Sequence, residues 1–136
     1  MPADLYADFL ASADTLRIYR GKKLVFTSPK DRLLPLMDYL AADGSGRPVT
    51  IYDKIMGNAA ALLSVMAHAR DVFSPLGSEL AVSTLENHGI KYHLDEIVPC
   101  IMRDDGKSMC PMEQLSLGKA PGEFYQEMKK RIAASV

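Results

Sequence analysis

The sequence of 136 residues contains no tryptophan, only two cysteines and no surplus of basic residues. Its 16 lysines and arginines are balanced by 17 aspartates and glutamates, which gives a formal net charge of −1. Nucleic-acid-binding proteins neutralise phosphates with basic surfaces, and single-strand binders also stack bases on aromatic side chains. Because only 7 % of the residues are aromatic and basic residues are not in excess, we expect no nucleic-acid partner.

Long apolar runs are also absent. No uninterrupted apolar run approaches the roughly 20 residues that a membrane-spanning helix needs, so we expect no membrane partner. Asp4 and Asp8 stand where a signal peptide would carry basic residues, which predicts that the chain is not exported. In a cytoplasmic protein, Cys100 and Cys110 are then expected to be reduced thiols. These features predict a cytoplasmic location.

The sequence alternates between helix and strand patterns. Its apolar share of 48 % and charged share of 24 % are ordinary for a globular protein, so we predict one domain over residues 1–136. Strands are predicted over residues 15–20, 23–28, 49–52, 71–73 and 91–98, and helices over 3–13, 35–43, 57–69, 78–88, from 111 onward and around 124–132. The Gly44-Ser45-Gly46 stretch is predicted to end the second helix. A hairpin followed by alternating helices and strands predicts a three-layer α-β-α domain of the α/β class, with a mixed sheet and helices on both faces.

Two stretches, Asp53-Lys-Ile-Met-Gly-Asn-Ala-Ala-Ala-Leu-Leu and Met109-Cys-Pro-Met-Glu-Gln-Leu, carry a family resemblance. Together with Ser74-Pro-Leu-Gly-Ser and Glu86-Asn-His-Gly-Ile, they resemble a family of small prokaryotic proteins known as a domain of unknown function. The similarity extends from the hairpin to about Leu117. The resemblance implies a cytidine-deaminase-like fold but no particular activity, so whether the protein is an enzyme stays open.

Zinc deaminases begin one core helix with His-x-Glu and the next with Pro-Cys-x-x-Cys, and these residues hold the metal and shuttle protons. By order of elements, the two positions fall on residues 57–60, Gly-Asn-Ala-Ala, and 74–78, Ser-Pro-Leu-Gly-Ser. Neither segment contains a histidine, a cysteine or a carboxylate. The separations among His88, His93, Cys100 and Cys110 lack the paired spacing of structural zinc sites. We therefore expect a protein with no metal and no cofactor.

Candidate ligand-binding residues surround the start of the helix predicted from Gly57. The first amides of a helix lack intrahelical acceptors, so with Lys54 nearby they favour a phosphate or carboxylate ligand. Gly57 would let such a ligand approach the backbone closely. Alternatively, Asn58 caps the helix, Asp53 and Lys54 pair with each other or with solvent, and Gly57 relieves packing between helix and sheet.

Candidate catalytic residues are Cys110 and Glu113, at the start of a helix marked by Pro111. The dipole of that helix favours the nucleophilic thiolate of Cys110, and Glu113 is placed to act as an acid or base. Alternatively, Glu113 bonds back to the Cys110 amide in a capping box. Arg103 precedes this segment and would suit an anionic ligand in the same cleft, although residues 103–106 also read as a turn.

Three functions are compatible with these residues. The leading hypothesis is a zinc-free deaminase-fold protein that binds a small anionic, nucleotide-like metabolite at the helix start near Gly57. The second is an active deaminase or related hydrolase with a rearranged site. The third is a non-catalytic interaction module that forms homo-oligomers through a sheet edge or its last helix.

Overall fold

The computed structural model describes residues 2–42 and 46–134, and these residues form five strands and six helices. The elements are α1 (Pro2–Ala11), β1 (Leu16–Arg20), β2 (Lys23–Ser28), α2 (Leu34–Ala42), β3 (Val49–Asp53), α3 (Asn58–Met66), β4 (Ala69–Ser78), α4 (Glu79–Asn87), β5 (Lys91–Val98), α5 (Pro111–Ser116) and α6 (Pro121–Ala134). Across this part of the chain, no helix combines the length and the apolar character needed to cross a membrane.

The strands form a single sheet in the order β2-β1-β3-β4-β5. β1 runs antiparallel to both β2 and β3, and β3, β4 and β5 run parallel to one another. The parallel half follows from the chain order, because α3 connects β3 to β4 and α4 connects β4 to β5 as crossover helices. The prediction of an α/β protein with a mixed sheet is confirmed.

The larger core lies on the face of the sheet that α2 to α6 cover. Alternate strand residues such as Ile18, Ile51 and Val72 point to this face and are fully buried. α3 passes through the middle of this layer, and its residues from Asn58 to Ser64 are all buried. The helix is therefore apolar nearly all the way round because it is enclosed by α4, α5, α6 and the sheet.

α1 packs alone on the opposite face. Phe9 and Tyr6 contact Tyr19 and Tyr52 from the sheet, with Phe73 packed against them. Tyr52 lies at the centre of this cluster, with its ring centroid 5.1 Å from that of Phe73 in an edge-on arrangement. Helices thus lie on both faces of the sheet, but the layers are unequal.

α4 begins and ends within one residue of the predicted range 78–88. Ser78 is the N-cap, and its side-chain oxygen accepts a hydrogen bond from the Ala81 amide at 3.1 Å. Gly89 adopts a left-handed φ of 69° just past the helix end. The Ile90 amide then donates to the Leu85 carbonyl at 2.9 Å, which closes the last turn.

β4 is longer than predicted, since the structure extends it from residues 71–73 to Ala69–Ser78. The predicted strand stops before Ser74-Pro-Leu-Gly, and proline cannot donate a hydrogen bond to a strand ladder. In the structure, pairing between β3 and β4 ends at Tyr52 and Phe73, before Pro75 is reached. On the other side, the pairing with β5 passes from Ser74 and Leu94 directly to Leu76 and Glu96, so Pro75 stands at a position that has no paired residue.

Two further sequence predictions concern the last helix and the segment that follows α2. Phe124 and Met128 in α6 are buried in the main core and Ile132 packs against it, so this stripe serves the core. α2 ends at Ala42, and the predicted helix-breaking segment, residues 44–46, lies outside the described residues except for Gly46.

Candidate functional site

A cleft of about 700 Å³ opens where β3 ends, between the start of α3 and the segment that leads into α5. In open α/β sheets, ligands bind beyond the carboxyl ends of the parallel strands, which is where this cleft lies. The cleft brings together six of the seven residues singled out from the sequence, namely Asp53, Lys54, Gly57, Arg103, Cys110 and Glu113. The seventh, Asn58, is not among the lining residues.

Glu113 is buried at the start of α3, with 2 % of its surface exposed. Its Oε1 accepts a hydrogen bond from the Asn58 amide at 2.6 Å, and its Oε2 accepts one from the Ile101 amide at 2.7 Å. These are short, charge-assisted hydrogen bonds. The carboxylate from α5 therefore caps α3 from another segment of the chain.

The capping box considered from the sequence does not form. The Cys110 amide donates to the Ile101 carbonyl at 2.9 Å, and both Glu113 oxygens face other amides. Cys110 is the N-cap of α5, but its side chain makes no capping hydrogen bond. Its thiol is half-buried and remains one of the groups that line the cleft.

Gly57 is the N-cap of α3, and its place beside Glu113 explains the glycine. A Cβ atom at this position would lie 3.1 Å from Glu113 Oε1 and 3.1 Å from Ile101 Cγ1. Gly57 thus allows the backbone to approach the Glu113 carboxylate and the loop that contains Ile101. This is the packing alternative considered from the sequence, with α5 and its preceding loop in place of the sheet.

Asn58 is the first residue of α3 rather than its cap. Its Nδ2 donates to Ser116 Oγ at 3.0 Å, and its Oδ1 accepts a hydrogen bond from the Thr84 hydroxyl. These partners belong to α5 and α4, so the buried amide joins three helices. The structure therefore places Asn58 in the support behind the cleft.

Lys54 directs its ammonium group away from the start of α3. The Nζ atom donates to the Ser12 carbonyl at 3.0 Å and lies 4.9 Å from the centre of the Phe9 ring. Carbonyls at the end of a helix lack intrahelical donors and attract cations, and the ring face adds a cation–π contact. The ammonium group of Lys54, which we expected to attract an anion at the start of α3, thus binds the end of α1 instead. It does not pair with Asp53.

Asp53 is a buried acid in the cleft wall, with 8 % of its surface exposed. Burial raises its pKa to about 7, although hydrogen bonds from the backbone amides of Ile55 and Lys54 act in the opposite direction. No cationic side chain pairs with it among the described residues. Near neutral pH, this carboxyl group is therefore able to donate or accept a proton.

Two arginines at the cleft have no ion-pair partner within residues 2–42 and 46–134. Arg103 was predicted to reach this site, and Arg32 joins it from the segment between β2 and α2. Both side chains are exposed, and the backbone of Arg32 adopts a left-handed φ of 61°. No motif marks Arg32 in the sequence, because it reaches the cleft only through the path of the chain after the hairpin.

The start of α3 also retains hydrogen-bond donors. The Asn58 amide is taken by Glu113, and the first intrahelical bond runs from the Ala61 amide to the Gly57 carbonyl at 2.9 Å. Between them, the amides of Ala59 and Ala60 have no acceptor in the described part of the chain, and both residues line the cleft. The cleft thus combines backbone amides with guanidinium groups, two classes of donor that bind anions.

Potential metal ligands do not converge. Within the described ranges, no group of three or more histidine, cysteine, aspartate or glutamate side chains is arranged to hold a metal ion. His88 contacts the Thr84 carbonyl and His93 contacts Asp95, whereas Cys100 lies in a separate groove. The four residues that were considered as a zinc set thus have other surroundings.

Comparison with known proteins assigns the family. A model for the domain of unknown function DUF1893 matches residues 7–132, and the chain belongs to this family. The match extends beyond Leu117, so it includes most of α6. The fold is that of a DUF1893 family protein from Thermotoga maritima, whose crystal structure superposes with a TM-score of 0.87. The two chains are 24 % identical, and the similarity covers 96 % of this chain and 88 % of that one. No curated protein matches the chain.

Proposed function

We propose that this member of the DUF1893 family binds a small anionic metabolite in the cleft at the start of α3. The observation that carries this proposal is the pair of unpaired guanidinium groups, Arg32 and Arg103, in the same cleft as the free amides of Ala59 and Ala60. Guanidinium groups form bidentate hydrogen bonds to phosphates and carboxylates, and helix amides complement the same charge.

The residues to which we assign the anion differ in part from those expected from the sequence. Glu113 already satisfies the first amide of α3, and the ammonium of Lys54 lies against α1. The ligand's charge is therefore assigned to the two arginines and to the next two amides of α3. Asp53 contributes a hydrogen bond in its protonated form, which is available because burial raises its pKa to about 7.

The cytidine-deaminase-like fold is part of the same proposal. The sheet order β2-β1-β3-β4-β5 supports it, with α3 and α4 starting beyond the carboxyl ends of β3 and β4. Zinc does not fit these helix starts. Residues 57–60 and 74–78 offer no imidazole or thiolate, and the space beside Gly57 is filled by the Glu113 carboxylate. Only this likeness of fold supports a nucleotide-like ligand. We therefore propose an anionic ligand in general, and a nucleotide is one of the compounds to test.

A second candidate function is a deaminase or related hydrolase with rearranged groups. It is favoured by Asp53, which titrates near neutral pH, in the same cleft as the partly buried thiol of Cys110. Turnover of a panel of nucleosides and simple esters tests it. An enzyme of this kind loses activity in both Asp53→Asn and Cys110→Ser, whereas a binding protein turns over none of the panel.

The binding proposal is tested by titrating inorganic phosphate into ¹⁵N-labelled protein and following the amide signals of Ala59 and Ala60. We expect saturable shifts at these amides, and we expect Arg103→Gln and Arg32→Gln to weaken binding by about tenfold each. Lys54→Met serves as the matched control, because Lys54 also lines the cleft but its ammonium group is bound to the Ser12 carbonyl at the end of α1. Equal weakening in all three variants, or shifts that never saturate, would contradict the proposal.

The third hypothesis, a non-catalytic module that forms homo-oligomers, stays a prediction, as does the cytoplasmic location. Analytical ultracentrifugation of the purified protein over a range of concentrations tests the oligomeric state. A dimer that persists unchanged when phosphate is added would favour an interaction role over ligand binding.

A further inference from the structure

An apolar groove of about 510 Å³ lies beside the cleft, at the carboxyl ends of β4 and β5. Its hydrophobic lining consists of Ile55, Leu76, Val98, Pro99, Ile101 and Met102. The one remaining lining residue is Cys100, whose thiol contacts the Met102 sulfur at 3.5 Å. Among the residues that the structure describes, no amide, hydroxyl or charged side chain lines the groove, so these side chains offer almost no hydrogen bonds to a ligand.

The groove and the cleft share one wall. Ile55, Ile101 and Met102 line both of them. Ile55 is 50 % exposed and Met102 is 41 % exposed, although both are large apolar side chains. A molecule that covered this shared rim would remove apolar surface from water, which is favourable in proportion to the area covered.

We infer that the ligand of this protein carries an apolar group, an aromatic ring or a short alkyl chain, next to its anionic group. This inference rests on the proposed function, since the anion is the part assigned to the cleft. An organic phosphate monoester or a carboxylate of this kind places its charge near Arg103 and its hydrocarbon in the groove. Pockets for small molecules combine an apolar lining with a few placed polar groups in the same way.

The lining also distinguishes among apolar groups. A nucleobase has donors and acceptors along its edges, and burying these without partners is unfavourable. The side chains of the groove supply none, so a plain hydrocarbon fits it better than a base. The ligand class is therefore an amphipathic organic anion rather than a nucleotide.

The experiment compares the affinities of inorganic phosphate, phenyl phosphate, butyl phosphate and uridine monophosphate by NMR titration. We expect phenyl or butyl phosphate to bind at least about tenfold more tightly than inorganic phosphate, because of the buried hydrocarbon. The tighter of the two shows whether the groove takes a ring or a chain. Uridine monophosphate should bind more weakly than the better of these two esters.

Two variants connect the gain in affinity with the groove. Val98→Thr keeps the side-chain shape and adds a hydroxyl group, and Cys100→Ser does the same at a second lining position. Each should reduce the advantage of phenyl phosphate about threefold to fivefold and leave inorganic phosphate unaffected. Leu24→Thr is the matched control, because Leu24 is 43 % exposed on β2 and does not line the groove. Thermal unfolding by circular dichroism establishes that each variant is folded.

The outcomes separate this inference from the proposed function. If all phosphates bind equally and depend on Arg103, the groove inference is wrong and the anion site stands. If the esters bind without dependence on Arg103 or Arg32, both proposals are wrong. Tighter binding of uridine monophosphate than of either ester would overturn the preference for hydrocarbon and leave the anion site intact.

Discussion

The buried carboxyl group of Asp53 predicts that the protein loses stability as the pH rises towards neutrality. Its pKa is raised from 3.8 to about 7 in the folded state, chiefly because burial disfavours the charged form. Between these two values, the folded protein binds a proton that the unfolded chain has released. The contribution of Asp53 is therefore most favourable below about pH 4 and is lost as the pH rises to about 7.

The size of this effect follows from the pKa difference. A shift from 3.8 to about 7 corresponds to about 4 kcal/mol, at about 1.4 kcal/mol for each pKa unit. Asp53→Asn keeps the size of the side chain and one acceptor oxygen but cannot ionise. The free energy of unfolding of this variant, relative to wild type, should therefore rise by about 4 kcal/mol between about pH 4 and pH 8.

Urea unfolding of both proteins at several pH values measures this difference. Taking the variant relative to wild type removes the contributions of the other carboxylates, which titrate in both proteins. Asp8→Asn is the control, because Asp8 is exposed on α1 and its carboxyl group is not withdrawn from water on folding. A constant difference between Asp53→Asn and wild type from about pH 4 to pH 8 would refute the reasoning.

Three further predictions follow from single contacts, and a fourth concerns the zinc content of the protein. Glu113→Gln should lower the free energy of unfolding by about 3 kcal/mol, because one buried amide then faces an NH₂ group; an unchanged urea midpoint would contradict this. Gly77→Ala should cost about 1–3 kcal/mol in thermal unfolding, because its Cβ would lie 2.5 Å from Leu94 Cδ1, and a neutral effect would show that Leu94 moves freely. Tyr6→Phe should cost about 1 kcal/mol and speed amide exchange in α1, because the 2.7 Å hydrogen bond to Asp95 is lost; unchanged exchange would count against the contact. Elemental analysis should find no stoichiometric zinc, and a chelator should leave the melting temperature unchanged.

Local signals in the sequence predict the elements of this fold well. The bounds of α4 follow from Ser78 and Gly89, each of which acts on its own turn of helix. β4 is different, because the strand continues through Pro75 only where the pairing with β5 skips that residue. That condition depends on the register between two strands, which no local pattern contains.

Most residues that line the candidate cleft are also predictable, but the contacts that they make are not. Asp53 ends a strand of the parallel half, Gly57 follows that strand, and Cys110 and Glu113 reach the same cleft. The bond from Glu113 to Asn58 crosses 55 positions of sequence, and the bond from Lys54 to Ser12 crosses 42. A carboxylate can bind the start of any helix, and an ammonium group can bind the end of any helix. The sequence alone therefore does not determine which helix Glu113 or Lys54 binds.

The internal carboxylate of Glu113 limits where an external anion can bind. An anion that replaced Glu113 would take over the Asn58 amide but leave the partly buried Ile101 amide without the acceptor that it has now, which is unfavourable. It would also bring two negative charges together in a poorly solvated site. Binding beside Glu113 avoids both penalties and still uses the amides of Ala59 and Ala60. The protein itself thus supplies a carboxylate at the start of α3, and under our proposal a ligand's charge lies further outward, near Arg103.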